Sequence, residues 1–313
     1  MNRIKVRVVE DSVSKDGNRL TTIHMRYPLI IHAELMTHRV FSRNARSSRA
    51  VPVKTMLEEV MNEPFIPWHW GKNQKGMQAS EECNEQVGLY VGGGDTEFFE
   101  KMTREDAWLK ARDHAVEIAS AFSDAGYHKQ IANRLLEPFM YIDTLVSSTD
   151  WDNFFYLRDH TDAEPHIHDL ARATIDEYNS SIPNLLSNGT WHLPYVTQEE
   201  KETLGMEICK QLSVVRCARI SYKPFDGKAD IASEIERYEK LVVSKPMHAS
   251  PTEHQATPDI WIKWDTTAEY AKNVEKYGWS QKSFHGNFDG WIQFRKLLQG
   301  EYKKQMPYGG KTR

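Results

Sequence analysis

The spacing of apolar positions divides this chain into short strands and amphipathic helices. Residues 4–10 and 20–27 alternate apolar and polar side chains, as half-buried strands do, and Lys15-Asp16-Gly17-Asn18 supplies the turn between them. Pro28 stands where a first helical residue is favoured, and the pattern predicts a helix from there to about Arg39. Further helices are predicted at 50–60, at 103–125 with Gly126 closing it, at about 128–136 up to Glu137-Pro138, and at 166–180. Thr149 is placed to cap a helix running to about His160. Phe139 to Val146 reads as a buried strand. Thr197-Gln198-Glu199-Glu200 has the form of a capping box, opening a helix with Leu204, Ile208, Leu212 and Val215 on one face. One more helix is predicted over 229–244. The stretch 63–94 holds Pro64, Pro67 and Gly92-Gly93-Gly94 and is expected to be irregular. Strands and helices mix without a βαβα rhythm, so the fold class is α+β.

At 313 residues the chain is long enough for one large domain or two ordinary ones. Its formal net charge of -4 argues against bulk attraction to a nucleic acid or a membrane, so positive charge matters only where it is local. No apolar run approaches the roughly 18 residues of a membrane span. Met1-Asn2-Arg3-Ile4 opens without a hydrophobic signal core, and a cytoplasmic protein is expected. The three cysteines, Cys83, Cys209 and Cys217, are an odd, sparse set that argues against a disulfide framework, and none sits in a C-x-x-C pair, so no zinc or redox motif is indicated. His160, His166 and His168 fit no zinc spacing, so no metal is expected.

Positive charge is concentrated in Thr37–Arg49, which holds four arginines, one histidine, one asparagine and three serines in thirteen residues without an acid. Guanidinium forks and hydroxyls following an apolar run, Pro28 to Met36, suit an anion, because arginine meets phosphate with paired, charge-assisted hydrogen bonds. A solvated basic loop is the alternative reading.

The same stretch resembles the signature of the flavin-dependent thymidylate synthases, R-H-R-x-x-S-x-N-E-x-S-x-R-Y. His38, Arg39, Ser42, Asn44, Ser47 and Arg49 match, while Thr37, Ala45 and Ala50 replace an arginine, a glutamate and a tyrosine. Asn133-Arg134-Leu135-Leu136-Glu137-Pro138 is similar to the family's A-R-x-x-L-P, and Asn153-Phe154-Phe155-Tyr156-Leu157-Arg158 to its N-F-x-x-L-R. Two motifs that precede the signature in the family stand late here: Ala218-Arg219-Ile220-Ser221-Tyr222 and His248-Ala249-Ser250-Pro251-Thr252-Glu253-His254. The simplest account of that order is a circular permutation, with partial duplication as the alternative. On this account residues 1–196 carry the signature, residues 197–313 carry the displaced motifs, and both pack into one catalytic unit.

The resemblance implies a thymidylate synthase-like fold, a mixed or antiparallel sheet packed against helices. It implies reductive methylation of dUMP to dTMP, with FAD as cofactor and NADPH and methylenetetrahydrofolate as co-substrates, in a homotetramer with sites at subunit interfaces. No cysteine attacks the pyrimidine in that reaction, which agrees with the lack of a Pro-Cys-Gln setting here. Residue by residue, Arg158 and His248 are the catalytic candidates. His38, Arg39, Asn153, Ser221 and Ser250 fall on flavin positions. Glu34, Arg46, Ser47, Ser48, Arg49, Arg134 and Arg158 are the candidates for binding the nucleotide. Glu34 stands where the family has glutamine; a carboxylate accepts from an exocyclic amine, so dCMP is a second substrate candidate. A hydroxymethyl product, or a catalytically inactive nucleotide- or nucleic-acid-binding relative, are further alternatives raised by the three replaced side chains.

Overall fold

The computed structural model describes residues 4–92, 98–220, 230–244, 247–264 and 276–301. Ser221, Tyr222, the Gly93-Gly94 pair and the tail after 301 lie outside the described residues.

Strand β1 (Lys5–Ser14) and β2 (Arg19–Pro28) form the expected hairpin. Gly17 closes its turn at φ 88°, a left-handed conformation that glycine adopts without a Cβ clash. Then come a 3-10 turn at Leu29–Ile31, helix α1 (His32–Leu35), β3 (Ser42–Ala45), α2 (Val53–Asn62) and the hairpin β4 (Val87–Val91)–β5 (Phe98–Met102). Next are α3 (Arg104–Asp124), α4 (Lys129–Ala132), β6 (Tyr141–Ser148), α5 (Asp152–Arg158), α6 (Pro165–Ser180) and β7 (Asn184–Leu186). The remainder is α7 (Gln198–Thr203), α8 (Met206–Ala218), α9 (Ile231–Tyr238), β8 (Ala256–Pro258), β9 (Trp261–Trp264), β10 (Lys276–Trp279), β11 (Trp291–Gln293) and α10 (Phe294–Leu297). Sheets and helices are thus mixed in one chain.

The main sheet runs β3-β6-β2-β1-β7, antiparallel throughout except for β7, which pairs parallel to β1. Register sets its two faces. Ile23 opposite Val146 and Tyr27 opposite Ile142 turn to one side, where Phe41, Trp151, Phe154, Ile167 and Leu170 complete the largest core cluster. Burial of each such large side chain contributes about 2 kcal/mol. The other face is a layer of hydroxyls and imidazoles. Ser12, His192, Thr22, Ser147 and His254 form one hydrogen-bonded chain with links of 2.9, 2.8, 2.6 and 2.8 Å, and none has exposed surface. His254 therefore ties the 248–254 loop to the sheet through a fully buried contact. A separate helical cluster of Met56, Val60, Ala119, Leu136 and Phe139 flanks β6.

Four local expectations are corrected. The helix expected from Pro28 to Arg39 is reduced to the 3-10 turn and one turn of α1, because Pro28 ends β2 opposite Tyr141. Arg43 then takes the carbonyls that further helix would use, donating to Met36 O at 2.8 Å and His38 O at 3.2 Å. The helix from Thr197 breaks at Leu204, whose ψ of 149° is extended, and Gly205 caps α8 as a new helix. Thr149 caps nothing; its hydroxyl accepts from the Asp289 amide at 2.9 Å, and Trp151 is the N-cap of α5. Pro138 lies inside a 3-10 segment, Asn133–Phe139, that continues from α4. Among the described residues no helix is long and apolar enough to cross a membrane.

Candidate functional site

The basic stretch reaches its final position through β3. Ser42–Ala45 pairs with β6, and Arg46 N continues the ladder to Asp143 O at 2.8 Å. The chain then turns away in a loop whose carbonyls are taken from behind. Asn133 donates to Ser48 O and Val51 O at 2.8 and 3.0 Å, and Lys129 to Ala50 O at 3.0 Å.

Arg46, Ser47, Ser48 and Arg49 line a cavity of about 270 Å³, and Arg134 from the Asn133–Phe139 segment joins them. Five of the substrate-binding candidates thus converge. Their charges are unequally available. Arg46 is held by Glu59 in a two-pronged pair at 2.9 and 2.8 Å. Arg134 faces Glu137 at 3.5 Å. Arg49 is exposed and makes no ion pair among the described residues, so it is the cation open to a ligand. Such a set can neutralise a dianion and fix its direction.

Arg158 is not on the lining of this cavity; it forms a second cluster. Its Nε donates to His38 Nε2 at 3.0 Å, one Nη donates to Thr37 Oγ1 at 3.2 Å, and the other lies 3.5 Å from Glu34. Because an arginine can only donate, His38 Nε2 carries no proton and the ring is neutral with its proton on Nδ1. Burial, with Arg158 and Arg43 nearby, holds its pKa down at about 4. The ring packs against Phe41 and, edge-on, Phe154. Glu34 shifts the opposite way: burial and the nearby Glu164 raise its pKa against the pull of Arg158. Thr37 does not replace the missing guanidinium; its hydroxyl accepts from Arg158 and donates to Glu34 O at 2.7 Å, bracing the cluster. Arg43 is turned to the carbonyls after α1.

The other candidates are scattered. Arg39, Asn153, His248 and Ser250 are exposed. Ser250 Oγ lies 3.5 Å from Asn44 Oδ1, on the sheet face opposite the main core, while His248 is fixed through its backbone amide to Leu241 O at 2.9 Å. Arg39, Asn153 and Ser250 offer a cation, an amide and a hydroxyl, yet they sit on separate elements, and His38 is committed to the core and Arg158. Among the described residues no three His, Cys, Asp or Glu side chains are grouped as metal ligands.

Sequence reasoning missed His32 and Glu137 on the cavity lining and Glu59 behind it. Glu59 lies in an amphipathic helix, where an acid reads as a solvated face; only its distance to Arg46 in the fold reveals it.

No protein-family model matches the chain, and no curated protein matches it. Among solved structures, a flavin-dependent thymidylate synthase ThyX from Helicobacter pylori complexed with FAD and dUMP is similar at 19% identity and a TM-score of 0.32, covering 51% of this chain and 67% of that one. A second structure of ThyX from the same organism, also with FAD and dUMP, is similar at 14% identity with the same TM-score and coverage. A TM-score of 0.32 is too low to define the fold.

Proposed function

We propose that the chain is a flavin-dependent enzyme of the thymidylate synthase type, which binds a pyrimidine deoxynucleotide and methylates dUMP to dTMP with methylenetetrahydrofolate and NADPH. The observation that carries this reading is the convergence of Arg46, Ser47, Ser48 and Arg49 with Arg134 around one cavity. These residues come from two distant stretches, 37–49 and 133–138, each of which resembles a family motif. Arg49 and the serines hold the phosphate. Arg158, immobilised by His38 and Glu34, presents a fixed cation to negative charge developing on the base, which lowers a barrier without reorganisation.

FAD, where bound, supplies the hydride. Arg39, Asn153 and Ser250 are exposed on separate elements, which leaves them open to a flavin shared between subunits of a homotetramer. The contact of Ser250 with Asn44 and the burial of His254 against Ser147 support residues 1–196 and 197–313 packing as one unit, which a permuted order would require. One observation favours a second substrate. Glu34 is a carboxylate beside Arg158, and it would accept from the exocyclic amine of dCMP.

Incubation of the protein with FAD, NADPH, methylenetetrahydrofolate and either dUMP or dCMP, followed by chromatography of the nucleotides, tests both. dTMP formed from dUMP is expected. A new product from dCMP alone moves the assignment to cytosine, and no product from either removes the enzymatic reading.

A further inference from the structure

His32 belongs to none of the motifs, yet it lines the same cavity as the arginines. Its Nδ1 lies 2.8 Å from the Tyr27 hydroxyl, which lies 2.8 Å from Thr144 Oγ1. Tyr27 and Thr144 have no exposed surface, whereas the imidazole is partly exposed. With the Nδ1 edge committed to these buried hydroxyls, the Nε2 edge is the one the cavity meets. We infer that His32 is a ligand-contacting residue of this cavity, its Nε2–H donating to an oxygen of the bound phosphate. This rests on the phosphate reading given above and deepens it.

The hydroxyl chain explains how the proton is placed. A tyrosine hydroxyl has one proton and here two neighbours. In one arrangement Thr144 donates to Tyr27 and Tyr27 to His32 Nδ1, leaving the imidazole proton on Nε2. In the other His32 Nδ1–H donates to Tyr27, and a bare lone pair faces the cavity. An anion repels that lone pair, so its arrival selects the first arrangement. Burial and the nearby Arg43 lower the pKa of His32, which favours the neutral ring in the unliganded chain. The division of labour follows. Arg49 supplies charge, the carboxylates of Glu59 and Glu137 moderate Arg46 and Arg134, and His32 supplies direction from the α1 side.

The test is titration of inorganic phosphate and of dUMP into the full chain, for the unmodified protein, His32→Ala and His32→Gln, with ¹⁵N shifts of the His32 ring in the unmodified protein. Both ligands are expected to bind the unmodified protein, and His32→Ala to weaken both about tenfold, the effect of one hydrogen bond to a charged group. His32→Gln, which restores an N–H, is expected to recover part of the loss. The ring is expected to be protonated on Nε2 and bare on Nδ1 at saturating phosphate. Equal affinities for the unmodified protein and folded His32→Ala, or protonation on Nδ1 alone in the bound state, overturn the role of His32 and leave the cavity reading standing. Failure of the unmodified protein to bind either ligand overturns the cavity reading and the inference with it. Should His32→Ala not fold by circular dichroism, His32→Gln and the ring shifts decide.

Discussion

Arg158 shows how a single side chain is made into a fixed charge. Three groups hold its guanidinium: a neutral imidazole, a threonine hydroxyl and a carboxylate. Removing it should therefore affect chemistry more than folding. Arg158→Ala is expected to keep the thermal midpoint within a few degrees and to lower kcat about 100-fold or more, the range for loss of one preorganised electrostatic group. Steady-state kinetics beside a melting curve checks this, and undiminished kcat would refute the role. In the cavity, Arg49→Ala should raise the dUMP dissociation constant more than Arg134→Ala does, because Arg134 already shares its charge with Glu137. Equal losses in a binding titration would contradict that ranking.

At the level of elements, the strand hairpin, the long α3 and the capping box were legible because each rests on local rules. Alternation marked β1 and β2, Thr103 and Gly126 bounded α3, and the Thr197–Glu200 box closes reciprocally as its spacing predicts. What the sequence hid depends on distant partners. Arg43 takes the carbonyls of Met36 and His38 just beyond α1, where further helix would have used them. Gly205 splits α7 from α8, which lets Glu200 serve both the cap and Arg216, at 2.7 and 2.6 Å. Arg216 holds the Glu200 carboxyl down at about 2. Glu200→Gln is accordingly expected to cost about 2 kcal/mol in urea denaturation, between the values for exposed and buried ion pairs. A loss below about 0.5 kcal/mol, that of a surface pair, would show that the junction does not depend on it. For the site, the sequence revealed the residue types that grip an anion. It did not reveal which charges are neutralised: Glu59 becomes the partner of Arg46 only in the fold, although Glu137 lies only three residues from Arg134.

Across the whole molecule, four buried or half-buried imidazoles make stability depend on pH. His32, His38, His192 and His254 all have pKa values below the usual imidazole value, chiefly through burial, with His38 near 4 and His254 near 3. Unfolded, each takes up a proton near pH 6.5. Their contribution is therefore complete above pH 6.5 and is lost as pH falls towards the folded values, at up to about 1.4 kcal/mol per pH unit for each histidine. Glu10 and Glu34, whose pKa values are raised, act in the opposite direction. The urea midpoint should drop steadily from pH 7 to pH 5; a flat profile would contradict the neutral buried layer that joins the 248–254 loop to the sheet.

That layer bears on the proposed function because it holds the 248–254 loop against β6, the strand that pairs with the basic stretch at β3. The most direct measurement is the visible spectrum of the protein mixed with FAD, then NADPH without oxygen, then dUMP. The account predicts a yellow complex whose flavin absorbance bleaches with NADPH and is perturbed by dUMP. A protein that stays colourless after FAD is added and the excess removed would contradict it.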